Sequence, residues 1–93
     1  MKINLKELSE QVITLIKKYG DVSKDEDVSV FSKISEKIII SIHYLKFMYG
    51  LERHFNIKLD YVILLKMYFE NSTVQELIDY LLEVFKRKNH GNY

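Results

Sequence analysis

The sequence contains no cysteine, no proline and no tryptophan, and only three of its 93 residues are glycine. Without cysteine, the chain can form neither disulfides nor thiolate zinc sites, and it offers no cysteine nucleophile. A chain so poor in residues that break helices is typical of a helical protein rather than a turn-rich β-sandwich. Apolar runs such as Ile38-Ile39-Ile40 are far too short to span a membrane. We therefore expect an all-α protein with no membrane contact.

Neither sign of charge dominates, because 14 lysines and arginines face 13 aspartates and glutamates, which leaves a formal net charge of +1. This balance argues against a dedicated nucleic-acid binder, which usually has a clearly basic domain. The short basic run Lys86-Arg87-Lys88 is better explained as a solvated helix end. The N-terminus lacks the apolar core of a signal peptide, so we expect a cytoplasmic protein. The length and the 47% hydrophobic content predict one folded domain over residues 1–93.

The first and last helices have the clearest patterns. Asn4, with Glu7 three residues later, has the spacing of a capping box, and apolar residues recur at helical spacing from there to Tyr19. Ser72 or Thr73 caps the last helix, whose apolar residues run from Val74 to Phe85. We expect an ordered core over about residues 4–86 and a polar tail over residues 87–93.

The middle of the chain leaves alternatives open. Residues 21–33 read as a long loop, which should be attached to the core by its four apolar residues Val22, Val28, Val30 and Phe31. The central helix begins either at Ser35 or at Ser41, and Asn56 can end it. A short helix should follow Leu59. The sum is a small bundle of three to four helices, with a long loop between the first two.

The buried face of the central helix is predicted to contain Phe47, Met48, Leu51 and Phe55. Tyr44 and Tyr49 are expected to project away from that face. Exposed tyrosine beside arginine and lysine is a common interface composition, so we expect at least one of the two in an interface. The alternative is that Tyr44 packs under the long loop.

Two segments, 51–59 (LERHFNIKL) and 72–81 (STVQELIDYL), resemble the acyl carrier and peptidyl carrier protein family. The first is similar to the end of that family's second helix, and the second to the opening of its last helix. Residues 12–22 fit the family's first helix and turn. The resemblance implies the acyl-carrier-protein type of helical bundle. Divergent carrier-related proteins of peptide-maturation systems are one group within the family that it resembles.

The resemblance also implies a modification site. Carrier proteins attach 4′-phosphopantetheine to the serine of an Asp-Ser-Leu motif at the start of the second helix, and the family's spacing places Ser41 there. The matching triplet is Ile40-Ser41-Ile42, so isoleucine replaces the family's aspartate. The arm would hold an acyl, aminoacyl or peptidyl group as a thioester, with a thiol that this cysteine-free chain cannot itself supply. Ser35 is a rival site whose spacing fits poorly.

The resemblance further implies partners rather than catalysis. Carrier proteins usually present an acidic second helix to basic partner enzymes, whereas the matching helix here is basic. We expect the partner-facing residues to be Ile42, Leu45, Lys46, Tyr49 and Arg53. We expect a monomer. Its expected partners are a phosphopantetheinyl transferase and acyl- or peptide-processing enzymes. The alternative is an unmodified interaction module that kept the fold and lost the arm.

Other chemistry has little support in the sequence. His43 and His54 lie eleven residues apart on the central helix, too far to share a metal ion. Ser41 and His43 are two residues apart, so they do not face each other on a helix. The acidic run at residues 25–27 lacks the spacing of a calcium loop. We expect no metal site and no catalytic residues.

Overall fold

The computed structural model describes residues 4–23 and 25–90, and these form a bundle of helices. Among the described residues there are five helices and no β-strand beyond one isolated bridge. The all-α class is therefore confirmed. Three to four helices were expected, and a single additional turn of helix brings the number in the described residues to five. The helices are α1 (Leu5–Tyr19), α2 (Ile34–Lys37), α3 (Ser41–Phe55), α4 (Tyr61–Phe69) and α5 (Val74–His90).

Helix α1 begins as its sequence predicts. The side chain of Asn4 accepts hydrogen bonds from the backbone N–H groups of Lys6 and Glu7, which have no partner inside the helix. Its buried residues are Leu8, Val12, Leu15 and Ile16. The helix ends at Gly20, where a Cβ atom would lie only 2.5 Å from the carbonyl oxygen of Ile16 and 2.7 Å from that of Lys37. Glycine is required there because two backbone segments approach each other closely.

Three of the four apolar residues in the segment after α1 contact the core, whereas all four were expected to do so. Val28 is buried, and Val22 and Val30 pack partly against the core. Phe31, expected as a fourth anchor, is instead 82% exposed, so that prediction is wrong. The segment ends in backbone pairing with the start of α5, since Gln75 N–H donates to the carbonyl of Val30. The backbone beside Phe31 is therefore held, although the side chain itself faces outward.

The two alternatives for the start of the central helix are resolved in favour of Ser41. Residues Ile34–Lys37 form a separate single turn, α2, and the chain is extended at Ile40 before α3 begins. At the other end, Asn56 adopts the left-handed conformation with φ of 52°, which asparagine tolerates well. The predicted end of this helix is therefore confirmed.

The carboxylate of Glu52, near the end of α3, fixes the following turn. One oxygen accepts from Leu59 N–H at 2.8 Å and the other from the Tyr61 hydroxyl at 2.6 Å. The bond from Tyr61 is the main cause of the lowered pKa of Glu52, and the same bond raises the pKa of Tyr61 to about 12. Glu52 thus joins the end of α3 to the start of α4.

Helix α5 opens with a capping box in which Thr73, not Ser72, is the cap. Thr73 Oγ1 accepts from the N–H of Glu76, while the Glu76 carboxylate accepts from the N–H of Thr73 at 2.9 Å. The helix continues to His90, beyond the predicted limit of the ordered core at residue 86. Residues 91–93 of the predicted tail lie outside the described residues.

One core joins all five helices and contains apolar side chains with almost no exposed surface. No helix among the described residues is long and apolar enough to cross a membrane. The packing matters for the site because it sets α1 against α3 and brings Tyr68 of α4 to the residues just before α3.

Candidate functional site

Ser41 is the first residue of α3 and is exposed to solvent. The residue before it, Ile40, is extended and contributes no side-chain cap to the helix. Ile39 and Ile40 are 64% and 50% exposed, so the serine lies in a largely apolar surface. Among the described residues, no hydrogen bond ties the Ser41 hydroxyl to another group, and the residue is exposed.

Asp21, from the loop that follows α1, supplies the side-chain hydrogen-bond acceptor that Ile40 does not provide just before α3. Its Oδ2 atom accepts hydrogen bonds from the backbone N–H of Ile39 at 2.7 Å and of Ile40 at 3.1 Å. Its Oδ1 atom lies 2.7 Å from Nδ1 of His43, on the first turn of α3. The N–H of Ile40, more than any other group, lowers the pKa of this carboxyl group. A carboxylate distant in sequence therefore holds the backbone before Ser41.

The same short segment is held from its other side by Tyr68 of α4. The Tyr68 hydroxyl donates to the carbonyls of Ile38 and Ile39, the latter at 3.0 Å. Burial raises the pKa of Tyr68. We call Asp21 and Tyr68 together the backbone clasp, because one holds N–H groups and the other carbonyls of residues 38–40.

Neither member of the backbone clasp was expected from the sequence. Asp21 lies 18 residues before Ile39, and no helical or strand periodicity relates the two. Tyr68 falls in the short helix, where the only usable signal was its four-residue spacing from Leu64, which is also buried. That spacing identifies a buried residue but gives no information about what its hydroxyl contacts.

The five residues expected to face a partner share one side of α3 and are all exposed. Ile42 is 53% exposed, Leu45 44% and Tyr49 54%, and Lys46 and Arg53 are exposed as well. Their spacing of three, four, seven and eleven residues from Ile42 forms one stripe along the helix. We call these five residues the outward stripe.

Tyr44 does not belong to that stripe, so the expectation that it projects away from the buried face is wrong. It is only 1% exposed, its ring stacks on that of Tyr68 at 4.2 Å, and its hydroxyl donates to the carbonyl of Leu64 at 2.6 Å. Burial raises its pKa well above the usual value for tyrosine. Tyr44 packs under α4 rather than under the long loop. Its spacing from Phe47 and Met48 was the signal that could have placed it in the core.

The remaining predicted groups do not assemble into a catalytic or metal centre in the described part of the chain. His43 is paired with Asp21, and His54 Nε2 lies 3.1 Å from the side-chain oxygen of Gln11. No cluster of three or more histidine, aspartate or glutamate residues in the described ranges could hold a metal ion. Ser35, the rival modification site, donates its hydroxyl proton to Asn71 at 2.8 Å and is partly buried.

A second surface feature lies beyond the far end of α3. A cleft of about 640 Å³ is bordered by Lys58, Arg87 and Lys88, with Ile57, Tyr80 and Val84 among its apolar lining residues. The ammonium group of Lys88 donates to the carbonyl of Asn56 at 2.6 Å, which ties α5 to the end of α3. We call this the basic cleft, and it is separated from Ser41 by the whole length of α3.

Comparison with known proteins adds no constraint on this site. No protein-family model, no curated protein and no solved structure matches the chain.

Proposed function

We propose that this chain is a carrier-like domain that holds an acyl, aminoacyl or peptidyl group as a thioester on 4′-phosphopantetheine attached to Ser41. The observation that carries the proposal is the position of Ser41, exposed at the first residue of α3. The order of a long helix, a loop, a second long helix, a short helix and a closing helix also agrees with the family that the sequence resembles.

The surroundings of Ser41 suit a phosphodiester. The start of an α-helix has N–H groups without intrahelical partners and a partial positive charge, both of which stabilise an anion. No bulky side chain encloses the serine, since its neighbours Ile40 and Ile42 are themselves about half exposed. The bound arm would supply the thiol for thioester formation. The chain itself would position the attachment point, because the backbone clasp fixes the residues just before it.

The replacement of the family's aspartate by Ile40 favours partners that differ from those of ordinary carriers. Asp21 brings a carboxylate to the same turn, but both of its oxygens are already bonded, to the amides of Ile39 and Ile40 and to His43. This engagement motivates a second candidate, an unmodified interaction module that uses the outward stripe alone.

Intact-mass measurement after co-expression with a broad-specificity phosphopantetheinyl transferase tests the proposal. We expect the mass to increase by one 4′-phosphopantetheine group, the increase to vanish in Ser41→Ala, and Ser35→Ala to behave like the wild type. A wild-type chain that gains no mass, or a gain that persists in Ser41→Ala, would contradict the proposal. The first of these outcomes favours the unmodified module.

A further inference from the structure

The nearly neutral chain carries a strongly uneven distribution of charge. The C-terminal half of α1 (residues 12–19) and the whole of α3 (residues 41–55) contain four basic residues and one acidic residue, a net charge of +3. The whole chain has a net charge of +1, so the remaining residues sum to −2. The C-terminal half of α1 and α3, which carries the outward stripe, therefore hold more positive charge than the rest of the chain, and the two helices pack together.

The one carboxylate among these residues does not offset the basic groups. Both oxygens of Glu52 are bonded, to Leu59 N–H and to the Tyr61 hydroxyl, on the side of α3 that faces α4. Within the described residues, none of Lys18, Lys46 and Arg53 lies within salt-bridge distance of a carboxylate. Their charges are available to a partner.

These three cations border a groove between α1 and α3. Two adjoining clefts, of about 310 and 170 Å³, share Tyr19, Gly50 and Arg53 among their lining residues, and Lys18 and Lys46 complete the basic border. Gly50 allows the Tyr19 ring to pack closely against α3, since a Cβ atom there would lie 2.6 Å from that ring. We call it the α1–α3 groove.

Aromatic rings lie directly beside the cations in this groove. The ammonium of Lys18 is 5.3 Å from the centre of the Tyr19 ring, and the Arg53 guanidinium is 5.7 Å from that of Tyr49. Tyrosine and arginine are the residue types enriched at the energetic centres of protein interfaces. The groove shares Lys46, Tyr49 and Arg53 with the outward stripe, whose Ile42 and Leu45 add exposed apolar area on the same helix.

We infer that the outward stripe and the α1–α3 groove together form a docking surface for a partner protein with an acidic contact face. The two surfaces are complementary in charge, because basic groups without carboxylate partners attract carboxylates and repel a basic partner. The inference extends the proposed function by giving the charge of the partner, and it rests on that function only for the partner's role in acyl or peptide processing.

Binding of a simple acidic probe tests the charge assignment. Poly-L-glutamate, with poly-L-lysine of matched length for comparison, is titrated into the ¹⁵N-labelled chain while amide chemical shifts are recorded. We expect poly-L-glutamate to move the amides of Tyr19, Lys46, Tyr49, Gly50 and Arg53, and poly-L-lysine to leave them unchanged. The double variant Lys46→Glu/Arg53→Glu should weaken binding at least about tenfold, and added salt should weaken wild-type binding.

The matched control is Lys58→Glu/Arg87→Glu, which makes the same change of charge at the basic cleft and should alter binding less than about twofold. Shifts centred on residues 58, 87 and 88, or an equal loss in the control variant, would assign the acidic probe to the basic cleft and overturn the inference. Amide shifts that change with the concentration of the chain in the absence of a probe would show self-association. The surface would then bind a second copy of the chain, which would overturn the inference of an acidic partner. Ser41→Ala should bind like the wild type, so a failure of Ser41 modification is distinguishable from a failure of this inference.

Discussion

Two faces of helix α3 contain similar residue types but differ in their exposure to solvent. The inward face contains Tyr44, Phe47, Met48 and Leu51, none more than 1% exposed, and the outward stripe contains Ile42, Leu45 and Tyr49, all at least 44% exposed. Both faces carry a tyrosine and aliphatic groups, so residue type alone does not separate them. The inward residues stabilise the fold by burial, whereas the outward residues contribute little to it and remain available for contact.

The largest effect that tests this comparison is expected from Phe47→Ala. Removing a fully buried phenylalanine leaves a cavity and should lower the free energy of unfolding by about 3–5 kcal/mol. Tyr49→Ala, two residues later on the outward stripe, should change it by less than about 0.5 kcal/mol. Urea unfolding followed by circular dichroism measures both. Similar losses in the two variants would show that the outward stripe is also part of the core.

A smaller effect is expected when only the hydroxyl of the buried tyrosine is removed. Tyr44→Phe keeps the ring stacked on Tyr68 but removes the hydrogen bond to the carbonyl of Leu64, and it should cost about 1–2 kcal/mol. Tyr49→Phe is the matched control on the outward stripe and should leave the unfolding midpoint unchanged. An unaltered midpoint in Tyr44→Phe would mean that this buried hydrogen bond adds nothing net.

The charge of Asp21 should give a stability effect that depends on pH. Its folded-state pKa lies below the usual value of 3.8, so the folded state favours the ionised carboxylate. Its contribution is fully present above pH 3.8 and is lost as the pH falls through the lower, folded-state pKa. We expect Asp21→Asn to lower the melting temperature at pH 6 and the difference from wild type to shrink below pH 3.8. A difference that stays constant with pH would assign the effect to shape rather than charge.

The smallest effect is expected at the proposed modification site itself. Ser41 is exposed, so Ser41→Ala should change the free energy of unfolding by less than about 0.5 kcal/mol. Thermal unfolding of the unmodified proteins measures this difference. A large loss would show that the hydroxyl supports the fold, and Ser41→Ala would then no longer be a clean control for modification.

Local patterns predicted much of this fold because the interactions concerned join residues close in sequence. The caps at Asn4 and Thr73 join residues two or three apart, and the left-handed turn at Asn56 depends on one residue. At Tyr44 two signals conflict: the spacing from Phe47 and Met48 indicates the core, whereas the residue type indicates an interface, and the side chain is buried. The periodicity was the better guide.

The site was less predictable than the helices that support it. The exposed stripe followed from helical spacing, but the backbone clasp depends on where a loop and a neighbouring helix cross the start of α3. Asp21 contacts Ile39 where the backbone at Gly20 passes close to the carbonyl of Lys37. Such a contact is a property of tertiary packing, and no pattern along the sequence encodes it.

The backbone clasp has a consequence for solvent exchange. Ile39 and Ile40 have exposed side chains, yet both of their amide protons are held by Asp21 while Tyr68 holds the adjoining carbonyls. Amides held in this way exchange with deuterium only when the local structure opens. The residues just before Ser41 should therefore have exposed apolar side chains but backbone amides that exchange slowly with deuterium. A group attached at Ser41 would then be anchored next to a backbone segment that seldom opens.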